Sequence, residues 1–233
     1  MHDRNCTAAR RSTVTLAARL LAVISLGIMS SAGAQSAQTT QNPQPNPEVL
    51  VTTSMGSFVI ELFPDKAPRT VANFLEYVHS GFYGGTVFQR VIKGFLVQGG
   101  LFNAQLQPKP TRPPIPIEAD NGLSNLRGTV AAARAADPNS ETSQFFINLV
   151  DNPRLDFISD QSGATWGYTV FGKVVQGMNV VDAIGNLPTG PQGPFSADVP
   201  HPLPVIESMT ELPAPAPAAG ASVSAPASSG TGH

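Results

Sequence analysis

Phe88-Gln89-Arg90-Val91-Ile92-Lys93-Gly94-Phe95-Leu96-Val97-Gln98-Gly99-Gly100 is the stretch on which the reading of this chain turns. Two short β-rich runs, Thr86–Ile92 and Phe95–Gln98, overlap it. Strand alternation would put Phe88, Arg90 and Ile92 on one face. An arginine between apolar neighbours is unusual, because a charged side chain is seldom buried without a partner. Two explanations stand side by side: an arginine at a rim reaching water, or one retained for chemistry. Gly99-Gly100 match no phosphate or dinucleotide fingerprint and read as turn and bulge glycines.

A second segment echoes the first. In Thr142-Ser143-Gln144-Phe145-Phe146-Ile147-Asn148, Phe145 and Phe146 would point to opposite faces of a strand, one to the core and one free to line a groove. Further outward, Val49–Thr53 and Ser57–Leu62 flank Ser54-Met55-Gly56 as a β-hairpin. More β-rich runs stand at Thr129–Ala133, Phe145–Leu149, Tyr168–Val174 and Val205–Met209. Eight such runs with Gly and Pro punctuation predict a mainly β domain, a closed barrel or a sandwich.

Two segments change to helical period. Val71, Phe74, Leu75 and Val78 form one stripe, with Pro68 near its start and Gly81 past its end; Met178, Val181 and Ile184 form another, closed by Gly185. Both read as core faces rather than ligand sites, and two helices could plug the open ends of a barrel. The loop 100–128 is long, Pro-rich and without period. Such loops in compact domains are usually functional, and this one is expected to shape a groove.

The ends read differently from the middle. Arg4, Arg10 and Arg11 precede the apolar run Leu20–Met29 and the small residues Ala32-Gly33-Ala34, so residues 1–34 are expected to be a signal peptide cleaved after Ala34. The run is too short for a bilayer, which takes ~20 residues, so no stable membrane anchor is expected. Arg10-Arg11 match a twin-arginine signal only weakly, and ordinary secretion to the periplasm or beyond is the expectation. Cys6, the one cysteine, would leave with the signal. Residues 35–47 read as a flexible linker and 213–233, almost all Ala, Pro, Ser and Gly, as a disordered tail. One domain, 48–212, remains. The chain has 233 residues, 41% of them hydrophobic, which suits a single core. From Gln35 onward 10 Lys and Arg face 15 Asp and Glu. A mildly acidic surface with no basic run argues against nucleic acid. No exposed apolar repeat demands an oligomer, and a monomer is expected.

The familiar catalytic sets are missing. The histidines at 2, 79, 201 and 233 have no metal-ligand spacing. Ser143 lacks the strand–elbow–helix setting of a hydrolase nucleophile. Glu118 and Asp120, two carboxylates in a loop, read as solvated turn residues.

The two quoted segments resemble the signature stretches of the cyclophilin family, and they stand in that family's order. The order continues through Gly128-Thr129-Val130-Ala131-Ala132-Ala133-Arg134 and Tyr168-Thr169-Val170-Phe171-Gly172-Lys173-Val174, and Thr53–Gly56 and Thr70–Phe74 fit as well. The similarity spans roughly Val49 to Thr210. It implies a closed eight-stranded antiparallel β-barrel capped by two helices, with peptidyl-prolyl cis–trans isomerase activity on proline-containing polypeptides and no metal or cofactor. It gives Arg90 the catalytic role, with Gln98 beside it. Phe95, Leu96, Phe146, Leu155 and Tyr168 fall at the proline pocket, Gln144 at a polar position, and Ala133 and Arg134 on the neighbouring groove. Leu96 stands for a methionine, Tyr168 for the histidine of many members, and Arg154 for the tryptophan associated with tight cyclosporin binding. That last exchange makes high drug affinity doubtful. A proline-peptide binding module and a small-ligand barrel are the competing readings. The second is disfavoured because Phe58, Ile60, Phe88 and Ile92 should fill a barrel of this size.

Overall fold

Strand alternation, helical period and one break in the alternation account for the layout. The computed structural model describes residues 45–214; the expected signal peptide, most of the linker and nearly all of the tail lie outside them. β1 (Glu48–Thr53) and β2 (Gly56–Leu62) form the expected hairpin, with Thr53 opposite Gly56. The Thr53 hydroxyl ties the turn by donating to the Gly56 carbonyl at 2.7 Å. Val49, Val51, Phe58, Ile60 and Leu62 all enter the interior cluster, as period 2 requires.

The remaining strands are β3 (Thr86–Val87), β4 (Arg90–Ile92), β5 (Leu96–Gly99), β6 (Thr129–Ala132), β7 (Phe145–Asn148), β8 (Val170–Gln176), β9 (Thr189–Gln192), β10 (Phe195–Pro200) and β11 (Val205–Glu211). Nine of the eleven form one antiparallel sheet in the order β3-β11-β1-β2-β8-β6-β7-β5-β4. Its end strands are β3 and β4, which only Phe88 and Gln89 separate along the chain. Laid flat, nine strands would hold their edges about 38 Å apart at ~4.8 Å spacing. The connecting residues reach ~10 Å. The sheet must therefore curl until its ends lie within that reach.

All eight expected strand positions are occupied, but the count and the closure differ. The run 86–92 splits into β3 and β4, and no ladder joins these two ends. β9 and β10 form a separate hairpin that was not expected, because Gly190-Pro191 and Gly193-Pro194 mask the strand pattern.

The split also shifts the alternation. Phe88 and Val91, three residues apart, both enter the interior, whereas Arg90 and Ile92 are half-buried. The expectation that Phe88, Arg90 and Ile92 share a face, and that Ile92 fills the barrel, is thus corrected: Val91 takes the inner place. One irregular step at Phe88-Gln89 resets the period, as a bulge does. Gly99 permits the close approach there, since a Cβ on it would stand 2.9 Å from both the Val87 carbonyl oxygen and the Phe88 ring.

Helices α1 (Pro68–His79) and α2 (Met178–Gly185) match the expected stripes. Val71, Phe74, Tyr77, Val78, Val181 and Ile184 belong to the same interior cluster as the strands. Phe74 packs within 5.1–5.8 Å of the rings of Phe171, Tyr83 and Phe145. The start of α1 has no capping side chain of its own. Glu118 supplies one from the long loop: its carboxylate accepts from the Arg69 and Thr70 backbone N–H groups at 3.2 and 2.9 Å and from the Thr70 hydroxyl at 2.8 Å. Glu118 is therefore not a merely solvated turn residue, since it satisfies donors that a helix start leaves unpaired.

Candidate active site

The outer face of the curled sheet carries a continuous row of side chains. Arg90 on β4 lies opposite Gln98 on β5, Gln98 opposite Phe146 on β7, and Phe146 opposite Ala131 on β6. Residues paired across strands share a face, so four strands line up a cation, an amide, an aromatic ring and a small residue.

Amide hydrogen bonds set the polar end of this row. Arg90 Nη1 donates to Gln98 Oε1 at 3.3 Å, and Gln98 Nε2 donates to Gln144 Oε1 at 3.2 Å. Gln89, which is 2% exposed, donates to the same Gln144 oxygen at 2.9 Å. With its oxygen used twice, Gln144 is left with Nε2 as the group able to donate outward. Arg90 Nη2 has no partner among the described residues. The Arg90 side chain is 42% exposed, which makes it an arginine at a rim with a free donor edge rather than a buried one.

Beyond this end lies an apolar patch. Leu96, Ala131, Ala133, Phe146 and Val170 are buried together, and Phe95, Leu123, Leu155 and Tyr168 pack half-buried around them. Phe146, at 3% exposure, forms the floor rather than a wall. The Tyr168 ring meets it edge-on at 5.4 Å. The guanidinium of Arg134 covers Tyr168 at 4.7 Å while its Nε donates to the Gly167 carbonyl at 2.9 Å. Arg154 lies over the Phe95 ring at 4.4 Å, so a flat cation occupies the flank of the patch where an indole was the comparison. The long loop contributes Leu123, in keeping with its expected part in shaping a groove.

The fold therefore brings together every residue anticipated for the site: Arg90, Phe95, Leu96, Gln98, Ala133, Arg134, Gln144, Phe146, Leu155 and Tyr168. Sequence reasoning missed the residues that hold them. Three buried asparagines support the pocket rim. Asn152 donates to the Phe95 carbonyl at 3.0 Å and to Asn148 Oδ1 at 2.8 Å; Asn148 donates to Asn125 Oδ1 at 3.2 Å; Asn125 donates to the Leu155 carbonyl at 2.9 Å. Asn148 closes the quoted segment 142–148, but only its buried position reveals the role. Segment 142–144 is pinned in turn. Asn73 donates to the Thr142 carbonyl at 2.8 Å, the Tyr83 hydroxyl to the Ser143 carbonyl at 3.0 Å, and the Ala133 N–H to the Gln144 carbonyl at 2.9 Å.

Glu141, fully buried just before that segment, accepts a hydrogen bond from the Thr169 hydroxyl at 2.8 Å. Burial pushes its carboxyl up to about 8; the Thr169 bond and Arg134 pull the other way, and Glu118 adds to the rise. Glu141 is thus mostly protonated at pH 7. Ser143 is buried with an unpartnered hydroxyl, which suits packing and not nucleophilic attack. Among the described residues no three His, Cys, Asp or Glu side chains gather as a metal site would require.

Comparison with known proteins bears on the family. Residues 48–211 match the model of the cyclophilin type peptidyl-prolyl cis-trans isomerase family. Peptidyl-prolyl cis-trans isomerase B of Escherichia coli (strain K12) is 52% identical over 158 residues, 68% of this chain and 95% of that one. Peptidyl-prolyl cis-trans isomerase A of Dickeya dadantii is 47% identical over 191 residues, 82% of this chain and 94% of that one. A crystal structure of a cyclophilin-type isomerase of Cryptosporidium parvum, determined in the presence of the dipeptide Ala-Pro, superposes with a TM-score of 0.55 at 27% identity, covering 70% of this chain and 96% of that one. On the extent of the family match and the identity to these relatives, the chain belongs to the cyclophilin-type peptidyl-prolyl cis–trans isomerase family.

Proposed function

We propose that this protein catalyses cis–trans isomerisation of Xaa-Pro bonds in exported polypeptides, with Arg90 as the catalytic residue. The row Arg90–Gln98–Phe146–Ala131 carries the reading, because it sets a free guanidinium edge beside an apolar floor. Rotation about a peptide bond costs ~18–20 kcal/mol, since resonance gives the C–N bond double-bond character. At proline both isomers are populated but exchange only in tens to hundreds of seconds. No bond breaks, so the protein need only favour the twisted state over the planar ones.

In the twisted state the prolyl nitrogen recovers a lone pair and becomes an acceptor. The unpartnered Nη2 of Arg90 would be the donor to meet it; a guanidinium stays charged and holds its N–H groups in a rigid fork. Gln98 holds one arm of the fork by accepting from Nη1. Phe146, Leu96 and Leu155 would hold the ring, while Gln144 Nε2 and the backbone near Ala133 and Arg134 would hold the peptide on either side. A Cryptosporidium relative studied with Ala-Pro, a minimal Xaa-Pro unit, supports a proline substrate.

The test is the cis-to-trans rate of a short Xaa-Pro peptide. Arg90→Ala is expected to lose about a hundredfold in kcat/KM, which is ~2.7 kcal/mol, and to retain peptide binding and its melting temperature. Wild-type protein that binds the peptide without accelerating it would establish a proline-binding module instead.

Export rests on the basic start, apolar run and small-residue site of residues 1–34. Slow prolyl steps limit folding, so assisting newly exported chains is the role that fits. Mass spectrometry of protein recovered from a bacterial host should find a chain beginning at Gln35; a chain beginning at Met1 would exclude this route.

A further inference from the structure

The unexpected hairpin brings a carboxylate to the other flank of the guanidinium. β10 packs beside β4, and Asp198 Oδ2 stands 3.7 Å from Arg90 Nε. The placement is held from both sides. Val199 is fully buried against Val87 and Leu106, and Phe195 meets Phe102 edge-on at 5.0 Å. Between these anchors the β9–β10 ladder slips register, and Asp198 takes a left-handed backbone at φ 67°. A non-glycine residue held there is uncommon, and such positions gather at functional sites. The Asp198 carboxylate has no hydrogen-bond partner among the described residues, so the fold does not need it to satisfy its own backbone.

The geometry points to Asp198 as a positioning residue for Arg90, holding the Nε edge of the guanidinium while Gln98 holds Nη1. The inference rests on the isomerase reading given above. An arginine side chain that is 42% exposed has considerable rotamer freedom to lose. One bond of 3.3 Å from Nη1 to Gln98 lets the plane swing about that contact. A negative charge on the Nε side restricts the swing and leaves Nη2 as the edge presented to the groove. Both partners are partly exposed, so the effect is modest and screened by salt.

The experiment compares the mature protein with Asp198→Asn and Asp198→Gly, alone and with Arg90→Ala. Asparagine keeps the shape and the tolerance of left-handed backbone but removes the charge; glycine removes the backbone strain as well. Either variant is expected to lower kcat about twofold to fivefold at unchanged KM, with no fall in melting temperature. The loss should shrink as sodium chloride is raised, and should vanish in the Arg90→Ala background. Independently of activity, the Arg90 Nε proton, followed by 15N NMR, should exchange with solvent faster in Asp198→Asn than in wild type.

A wild-type kcat in Asp198→Asn overturns the proposal, as does an equal loss in the Arg90→Ala background or an unchanged Nε exchange rate. Should wild type fail to isomerise while the Nε exchange still responds, the positioning stands and the isomerase reading falls.

Discussion

Phe145 and Phe146 are neighbours on β7, and they belong to two different parts of the molecule. Phe145, 1% exposed, packs edge-on against Phe74, Tyr83 and Phe88 in the interior cluster. Phe146, 3% exposed, lies on the outer face with Leu96, Ala131 and Val170. Burial alone does not distinguish them. The interior cluster draws on both helices and most strands, whereas the outer one is a small patch edged by half-buried residues. One strand thus serves stability on one face and recognition on the other.

The most forceful way to break this comparison is to truncate each ring. Phe145→Ala should cost ~3–5 kcal/mol of unfolding free energy, the usual price of emptying a buried aromatic site. Phe146→Ala should cost less in stability, because its neighbours can collapse and water can enter from the rim. Its loss of kcat/KM should be the greater of the two. Urea unfolding and the isomerisation rate, measured on both variants, decide it; equal destabilisation would erase the distinction.

Glu141 sharpens the comparison through pH, since it is an interior group immediately behind the outer site. Its folded carboxyl lies at about 8, above the ordinary 4.5. The folded state therefore holds a proton that the unfolded chain releases. The contribution of Glu141 to stability is full below pH 4.5 and is lost as pH rises through 8, at up to ~1.4 kcal/mol per unit within that window. Glu141→Gln, neutral throughout, should flatten this part of the stability–pH curve. A slope that persists unchanged in the variant would remove Glu141 as its source.

What could be read in advance follows the same division. The interior was legible because alternation and helical period are written locally: Val49, Val51, Phe58, Ile60, Val71 and Phe74 fall where their spacing puts them. Reading failed where one irregular step changed the period, as at Phe88-Gln89, and where prolines masked a hairpin, as at 189–200. Alternation alone singled out Arg90 and put Phe145 and Phe146 on opposite faces, but the other site residues were legible only through resemblance, since nothing in local spacing brings Gln144 to Gln98 or Leu155 to the patch that Phe95 edges. Their supports were invisible for a related reason. Gln89, Asn125 and Asn152 are polar residues in irregular segments and Asp198 stands at the register slip of β10, and only tertiary contact gives them work. Glu118 shows how this misleads, because a carboxylate that looks solvated in its loop caps a helix 48 positions earlier in the chain.

The smallest expected effect tests how much of the outer patch depends on shape rather than identity. Leu96 is 4% exposed and shares its cluster with Phe146, Ala131, Ala133 and Val170. Leu96→Met changes volume little and adds a flexible thioether, so its stability cost should stay below ~1.5 kcal/mol. An unbranched side chain can follow the ring it contacts, and kcat/KM should remain within about threefold of wild type. The same exchange at an interior position such as Leu62, fully buried among both helices and the sheet, has less room to adapt and should cost more stability. If Leu96→Met instead removes most of the activity while Leu62→Met is silent, the outer patch is the more tightly specified surface. The contrast drawn from Phe145 and Phe146 would then have to be reversed.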